Sequence, residues 1–360
     1  MDRIEKGYNL ISLPQITLTE EEADRFIDYM VDESAMKGYA RIERMNVPQK
    51  NLRAIGFGSG KFLYPAGQFD ESKYKKQWID NKIQLSTKEA RGCVAIFDND
   101  LEDLPPAITP DQYQNQLMGI ITKKIAIEIE EAGYMSDRHG LNGFAADDIR
   151  SLWDGWRYII SHSAAGQQYF NKVSGSAHLL DACEGGETGN EFKYPGLIAE
   201  QNPAPPYGWE FKYHKAIKAM PSKYKANGGL ANMSFLNSDL VTQDYLAALS
   251  QRSTIIGDAV LQGTMQPQYG RVGIIDVPLM PTNLGDPGAG QDGVIGAGVY
   301  TDCLFTPKNN LIIAIQRDIK IESKREPADQ CTYVFYSLKI DFALENVDAV
   351  VLIRCLEHEC

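Results

Sequence analysis

Absences narrow this sequence before any motif does. No apolar run approaches the ~20 residues that a membrane-spanning helix needs, so no such span is expected. The opening residues, Met1-Asp2-Arg3-Ile4-Glu5-Lys6, lack the basic-then-apolar pattern of a signal peptide. The expectation is a protein made and kept in a cytosol. Basic charge is in deficit: 36 Lys and Arg stand against 48 Asp and Glu, for a net charge of −12. A surface that wraps duplex DNA needs many cationic contacts to phosphate, which disfavours that class. An acidic wall that must not stick to polyanionic contents suits the balance better.

The groups that usually carry chemistry are sparse and scattered. Six cysteines (Cys93, Cys183, Cys303, Cys331, Cys355 and Cys360) include no C-x-x-C pair, and no histidine stands at zinc-ligand spacing from one. Reduced thiols are the default for a cytosolic product. Cys355 and Cys360 are the first candidates for a disulfide between subunits formed after cell lysis. The five histidines, His139, His162, His178, His214 and His358, form no H-E-x-x-H pattern, and no G-x-S-x-G elbow occurs. Gly56-Phe57-Gly58-Ser59-Gly60-Lys61 is rich in glycine but fails the G-x-x-x-x-G-K-[ST] spacing that cradles phosphates. It reads instead as a hinge or loop tip. Asp98, Asp100, Glu102 and Asp103 cluster, yet no glycine and distal glutamate complete a calcium loop. Asp286 and Asp292 lie in the Gly-rich stretch Thr282 to Gly298, which reads as a surface loop. No catalytic, cofactor-binding or metal-ligating residue is assigned, and a non-enzymatic role is expected.

What remains is a chain of 360 residues with ordinary globular composition, 43% hydrophobic and 23% charged. That length holds one large domain or two lobes. An irregular arm (Gly7 to Thr17) precedes an amphipathic helix over Thr19 to Met36, with Thr19 as cap and Glu20, Glu21 and Glu22 in the first turn. Leu52 to Leu104 reads as a long two-stranded excursion that includes Arg91 to Phe97. An excursion of that kind is not stable alone and must pack on a neighbour. Pro110 opens a long helix through Gln112 to Ala132, expected to end at Gly133 and to span about 30 Å. A second helix is expected over Ala145 to Tyr169, and a third over His214 to Tyr224, interrupted at Pro221. Glu184 to Tyr207 reads as an exposed loop. Strands are expected over Ala231 to Leu236 and Val272 to Val277, with a capped helix from Ser238 to Ser250 between them. Three β-runs, Leu311 to Ile321, Thr332 to Phe342 and Ala349 to Leu356, close the chain and are expected to return to the first lobe. The pattern is α+β with discontinuous lobes.

Several stretches, in this order, resemble one family. Ala90-Arg91-Gly92-Cys93-Val94-Ala95-Ile96 followed by Asp100-Leu101-Glu102-Asp103 resembles the end of an extended loop running into a spine helix. Leu152-Trp153-Asp154-Gly155-Trp156 is similar to an Asp-Gly-Trp element after that helix. Met220-Pro221-Ser222-Lys223-Tyr224 resembles a helix end of the Ala-Leu-Pro, then Tyr, type. Tyr245 to Arg252, Gly257 to Gly263 and Gly273 to Pro281 look like an axial domain. Arg317 to Glu322, Asp341 to Leu344 and Asp348 to Leu352 resemble peripheral-domain strands and a return strand. Together they resemble the tailed-phage major capsid proteins of the Hong Kong 97-type fold, over nearly the whole chain and most clearly from Arg91 onward.

That resemblance implies an N-terminal arm (1–50), an extended loop (51–104), and a peripheral domain (105–229) with its spine helix at 110–132. An axial domain (230–300), further peripheral-domain strands (301–348), and a return strand with tail (349–360) complete it. It also implies hexamers and pentamers in an icosahedral head around double-stranded DNA, without sequence-specific binding or membrane contact. Portal and decoration proteins are implied partners, with assembly in the host cytoplasm and a final place in the virion. No long charged N-terminal scaffold segment is visible, so a separate scaffolding protein is expected. Some relatives form a Lys–Asn crosslink. Here Lys61, Lys73, Lys75 and Lys76 lie in the extended loop and Asn346 in a later turn, but no motif marks them as reactive. Two other readings compete: an encapsulin-like compartment shell that packages cargo enzymes, and an enzyme with a cryptic site in Thr282 to Gly298.

Overall fold

The computed structural model describes residues 16–17, 27, 39–57, 78–97, 110–140, 144–145, 148–162, 179–181, 209–250, 266–284 and 300–357. The described strands are β1 (Ile16–Thr17), β2 (Ala40–Met45), β3 (Gln49–Phe57), β4 (Trp78–Ser86), β5 (Lys88–Phe97), β6 (Leu179–Asp181) and β7 (Met233–Asn237). They continue as β8 (Gln268–Tyr269), β9 (Val272–Asp276), β10 (Tyr300–Pro307), β11 (Leu311–Glu326), β12 (Cys331–Leu344) and β13 (Val351–Glu357). The helices that position the sheets include α1 (Pro110–Met135), α2 (Trp156–His162), α3 (Trp209–Ala219) and α4 (Asp239–Ser250), and a single helical turn lies at Ser222–Lys225. The first sheet runs β1-β11-β12-β5, with β2 pairing in parallel on the early half of β11. The second runs β6-β13-β10-β7-β9-β8, and β3 and β4 form a separate hairpin.

Burial explains why the closing strands read as continuous apolar runs rather than alternating ones. In β11, Leu311, Ile313 and Ile315 face the main core while Ile312 and Ala314 face a smaller one on the opposite side of the sheet. The second sheet is covered on both faces as well. Leu236, Leu304, Val350 and Leu352 enter the main core. Phe235, Phe305, Val351 and Ile353 pack with Tyr213 and Ala216 of α3 and with Val241 and Tyr245 of α4. Ser238 Oγ accepts from the Val241 amide at 3.5 Å at the start of α4, a weak form of the expected cap.

The long helix α1 is 26 residues, so it extends about 39 Å. Its buried residues Ile121, Ile125, Ile129 and Ala132 recur at helical spacing and lie on the first sheet, whereas Ile120 and Ile127 are exposed. Gly133 does not end this helix, which continues to Met135. A Cβ at Gly133 would stand 3.0 Å from the Trp156 ring and 3.2 Å from the Phe342 ring, so the glycine serves close packing instead. The single helix expected over Ala145 to Tyr169 is also corrected. A 3₁₀ turn at Ile149–Ser151 and an irregular stretch precede α2, because Gly155 turns its backbone amide to the Ser136 carbonyl at 2.8 Å. The tryptophans on either side of that contact anchor β12: Trp153 Nε1 donates to the Ile340 carbonyl and Trp156 Nε1 to the Ala343 carbonyl, at 2.8 and 3.1 Å. Both rings meet Phe342 edge-on.

Three strand assignments change. The excursion's returning strand is β4, while Arg91 to Phe97 belongs to β5 and pairs with Cys331 to Ser337 in the first sheet. Tyr300–Pro307, which the resemblance groups from residue 301 with the peripheral-domain strands, pairs with β7 and β13 in the second sheet. The run Ala349 to Leu356 begins as a 3₁₀ turn and then forms β13, which joins the second sheet rather than returning to the first. Of the amphipathic helix expected near the N-terminus, Ile27 is described; it is helical and fully buried in the main core. The rest of that stretch, all of Glu184 to Tyr207 and most of Thr282 to Gly298 lie outside the described residues.

Candidate assembly interface

The hairpin β3–β4 stands apart from the two larger sheets. Nine residues on each strand pair in antiparallel register from Gln49↔Ser86 to Phe57↔Trp78. Among the described residues neither strand joins a larger sheet. A two-stranded ribbon of this length is marginal by itself. Its root, however, is well fixed. Leu85 is fully buried with Met45, Ile312, Ala314 and Ala343, and Leu52 and Ile83 pack on that cluster.

Polar contacts lock the same root. The Asp341 carboxylate accepts from the Ser86 amide at 2.7 Å and from the Phe342 amide at 3.0 Å. Burial raises the Asp341 pKa to about 6, with Asp154 adding to the rise; these two hydrogen bonds and the Lys88 charge oppose it. The Thr87 hydroxyl donates to the Pro48 carbonyl at 3.2 Å, and Lys88 Nζ donates to the Leu152 carbonyl at 2.6 Å. On the outer side Glu43 takes hydrogen bonds from Lys50 and Arg41. Burial works against its carboxylate, but those two cations outweigh it and hold the pKa below the usual value.

A second tie joins the two sheets. Arg157 on α2 donates to Asp302 on β10 as an ion pair buried on both sides. Tyr39 reaches α1 by donating to Glu130 at 2.9 Å. These contacts tie α2 to the second sheet and the segment before β2 to α1.

The residues weighed from sequence fall as follows. Gly56 and Phe57 sit within β3, paired with Ile79 and Trp78, so the glycine run begins inside a strand. Gly58 to Lys61, Lys73, Lys75, Lys76, Asp98 to Asp103, Asp286, Asp292, Cys183 and Cys360 lie outside the described residues, as does the Cys355 side chain. Asn346 is exposed; its amide Nδ2 donates to the Tyr224 hydroxyl at 2.6 Å. His139 stacks on Tyr158 and stands 3.6 Å from Asp154. Among the described residues no group of three or more His, Cys, Asp or Glu side chains could hold a metal ion, and no helix is long and apolar enough to cross a membrane. Sequence reading missed Asp341 and the Arg157–Asp302 pair. Their partners lie 255 and 145 residues away in the chain, a separation that leaves no local signal.

Solved structures with this arrangement settle the fold. A chain of the satellite phage P4 procapsid including size determination (Sid) protein is similar at TM-score 0.62, with 14% identity over 96% of this chain and 94% of that one. The chain has the Hong Kong 97-type capsid fold. The same fold in the capsid of a native GTA particle matches at TM-score 0.54 and 15% identity, covering 90% of each chain. In the bacteriophage PhiM1 mature capsid it matches at 0.51 and 11%, covering 89% of this chain and 86% of that one. By sequence, the chain is 24% identical over 338 residues to "Putative prophage capsid protein YqbE" of Bacillus subtilis (strain 168), covering 92% of this chain and 90% of that protein. No family model matches.

Proposed function

We propose that this chain is the major capsid protein of a tailed phage. It is a structural shell subunit that assembles into hexamers and pentamers of an icosahedral head around double-stranded DNA. The observation that carries the reading is the β3–β4 hairpin, rooted by Leu85 and Asp341 yet joined to no larger sheet among the described residues. Such an element finds its burial on a neighbouring subunit, through strand edges and apolar contacts of the kind that hold subunit interfaces. Identical heterologous contacts that close on themselves generate rings. In this reading the hairpin is the extended loop, and α1 with the first sheet is the peripheral domain. The second sheet with α3 and α4 is the axial domain. The net charge of −12 keeps the wall from adhering to packaged DNA. A separate scaffolding protein and a portal act with it during assembly in the host cytoplasm.

Negative-stain electron microscopy of the protein, expressed with and without its neighbouring phage genes, tests the proposal. Closed shells or capsomer rings are the expected result, with nucleic acid inside when packaging genes are present. A uniform small oligomer under every condition would overturn it.

A further inference from the structure

The far half of the first sheet carries an exposed aromatic patch. Past the register shift between Gln316 and Lys320, β12 pairs Cys331 to Ser337 with Phe97 to Arg91 of β5 on one side and with Glu326 to Lys320 of β11 on the other. Directly paired residues share a face of a sheet. Phe335 therefore lies beside Cys93, Tyr333 beside Ala95, and Phe97 completes the row. Phe97 is 49% and Phe335 41% exposed, Cys93 is exposed, and the Tyr333 and Phe335 rings stand 6.2 Å apart. An exposed apolar cluster framed by charges marks an interaction surface.

Two features select its occupant. The charged side chains of that face are Glu89 and Arg91 on β5, Lys339 on β12, and Lys320, Glu322, Lys324 and Glu326 on β11. Three acids and four bases meet there, close to balance, on a chain whose net charge of −12 makes most pairs of identical surfaces repel. The second feature is a knob and a groove at opposite ends of one strand. Phe97 lies four residues beyond Cys93, and an open groove of about 380 Å³, lined by Glu89, Arg91, Lys320, Glu322, Phe335 and Ser337, lies on the other side of it. A two-fold axis passing by the Cys93–Phe335 pair would bring each copy's Phe97 over the groove of the other.

We propose that this face is an isologous contact between two copies of the chain, centred on Cys93 and Phe335. The inference rests on the shell reading for its setting and adds one specific contact to it. Its test is oxidation of the assembled protein with copper–phenanthroline, followed by peptide mapping, alongside Phe97→Ser and Phe335→Ser variants. The expected result is a Cys93–Cys93 linked peptide. Each variant should leave the circular dichroism and melting of the unassembled subunit unchanged, because both rings are exposed. Each should weaken the contact by roughly tenfold, read as a rise in the protein concentration needed for assembly. If wild-type shells form but Cys93 stays freely alkylated within them and both variants assemble as wild type does, the contact is overturned. If no shells form at all, the shell reading fails separately. The linked peptide from a solution dimer would then still support the contact, and its absence would refute it.

Discussion

Replacing Asp341 by Asn offers a direct test of how the hairpin root is built. Asp341 has its pKa raised from 3.8 to about 6, mainly by burial, so the folded chain holds a proton that the unfolded chain has released. Between those two values the folded state binds more protons, and stability must therefore rise as pH falls. From pH 8 to pH 5 the increment from this one group is about 1.4 kcal/mol. Above the folded pKa the penalty of the buried charge is fully present and constant. Glu43, Glu89 and Asp148, whose pKa values are lowered, lose stability only below their unfolded values, outside the pH 5 to 8 window. The Asn variant cannot titrate, and it leaves one of the two amides, Ser86 or Phe342, without its acceptor at every pH. Urea denaturation of unassembled wild type and Asp341→Asn at pH 5, 6.5 and 8 should give curves whose difference changes by that increment. Parallel curves would show that Asp341 ionises normally and that its burial does not govern the root.

Other outcomes follow from the packing. Leu85→Ala empties a fully buried site under the hairpin and should cost ~2–5 kcal/mol by chemical denaturation. Shell yield should fall further than the stability loss alone explains, because the hairpin's aim is lost with its root. Arg157→Met strands a buried carboxylate at Asp302 and should destabilise by ~3–5 kcal/mol, whereas pairing it with Asp302→Leu should recover most of that loss. Gly155→Ala places a Cβ 2.8 Å from the Ser136 backbone nitrogen, which has no room to move, so thermal melting should drop by several degrees. Gly92→Val puts a side chain where the Tyr336 ring lies, 2.1 Å away, and should displace that ring and lower the thermal midpoint by several degrees.

The parts of the fold that were legible in sequence are those with local causes. Pro110 and the Ile121, Ile125, Ile129 spacing announce α1, and Leu311 to Ile315 announces a strand buried on both faces. The end of α1 was misread because glycine usually stops a helix; at Gly133 the demand comes from Trp156 and Phe342, 23 and 209 residues later in the chain. The return strand of the hairpin was misplaced because β4 and β5 are separated by Thr87 alone, so both read as one extended run. The assignment of Tyr300–Pro307 and β13 to the second sheet has no local signal at all, since strand pairing between distant segments is decided by tertiary packing. The aromatic patch was hidden for the same reason: Phe97 and Phe335 sit on strands paired across more than half the chain.

The placement of β13 carries a consequence for quality control during synthesis. This strand lies between β6 and β10, sends Val351 and Ile353 into one core, and follows directly on Val350 in the other. A polypeptide interrupted anywhere before residue 351 lacks the slat that both hydrophobic compartments close upon. Nascent and truncated subunits therefore leave both of these interiors unfinished. In the shell proposed above, only chains translated through this strand would join with both interiors closed, so proofreading of the building blocks is written into the order in which the chain emerges.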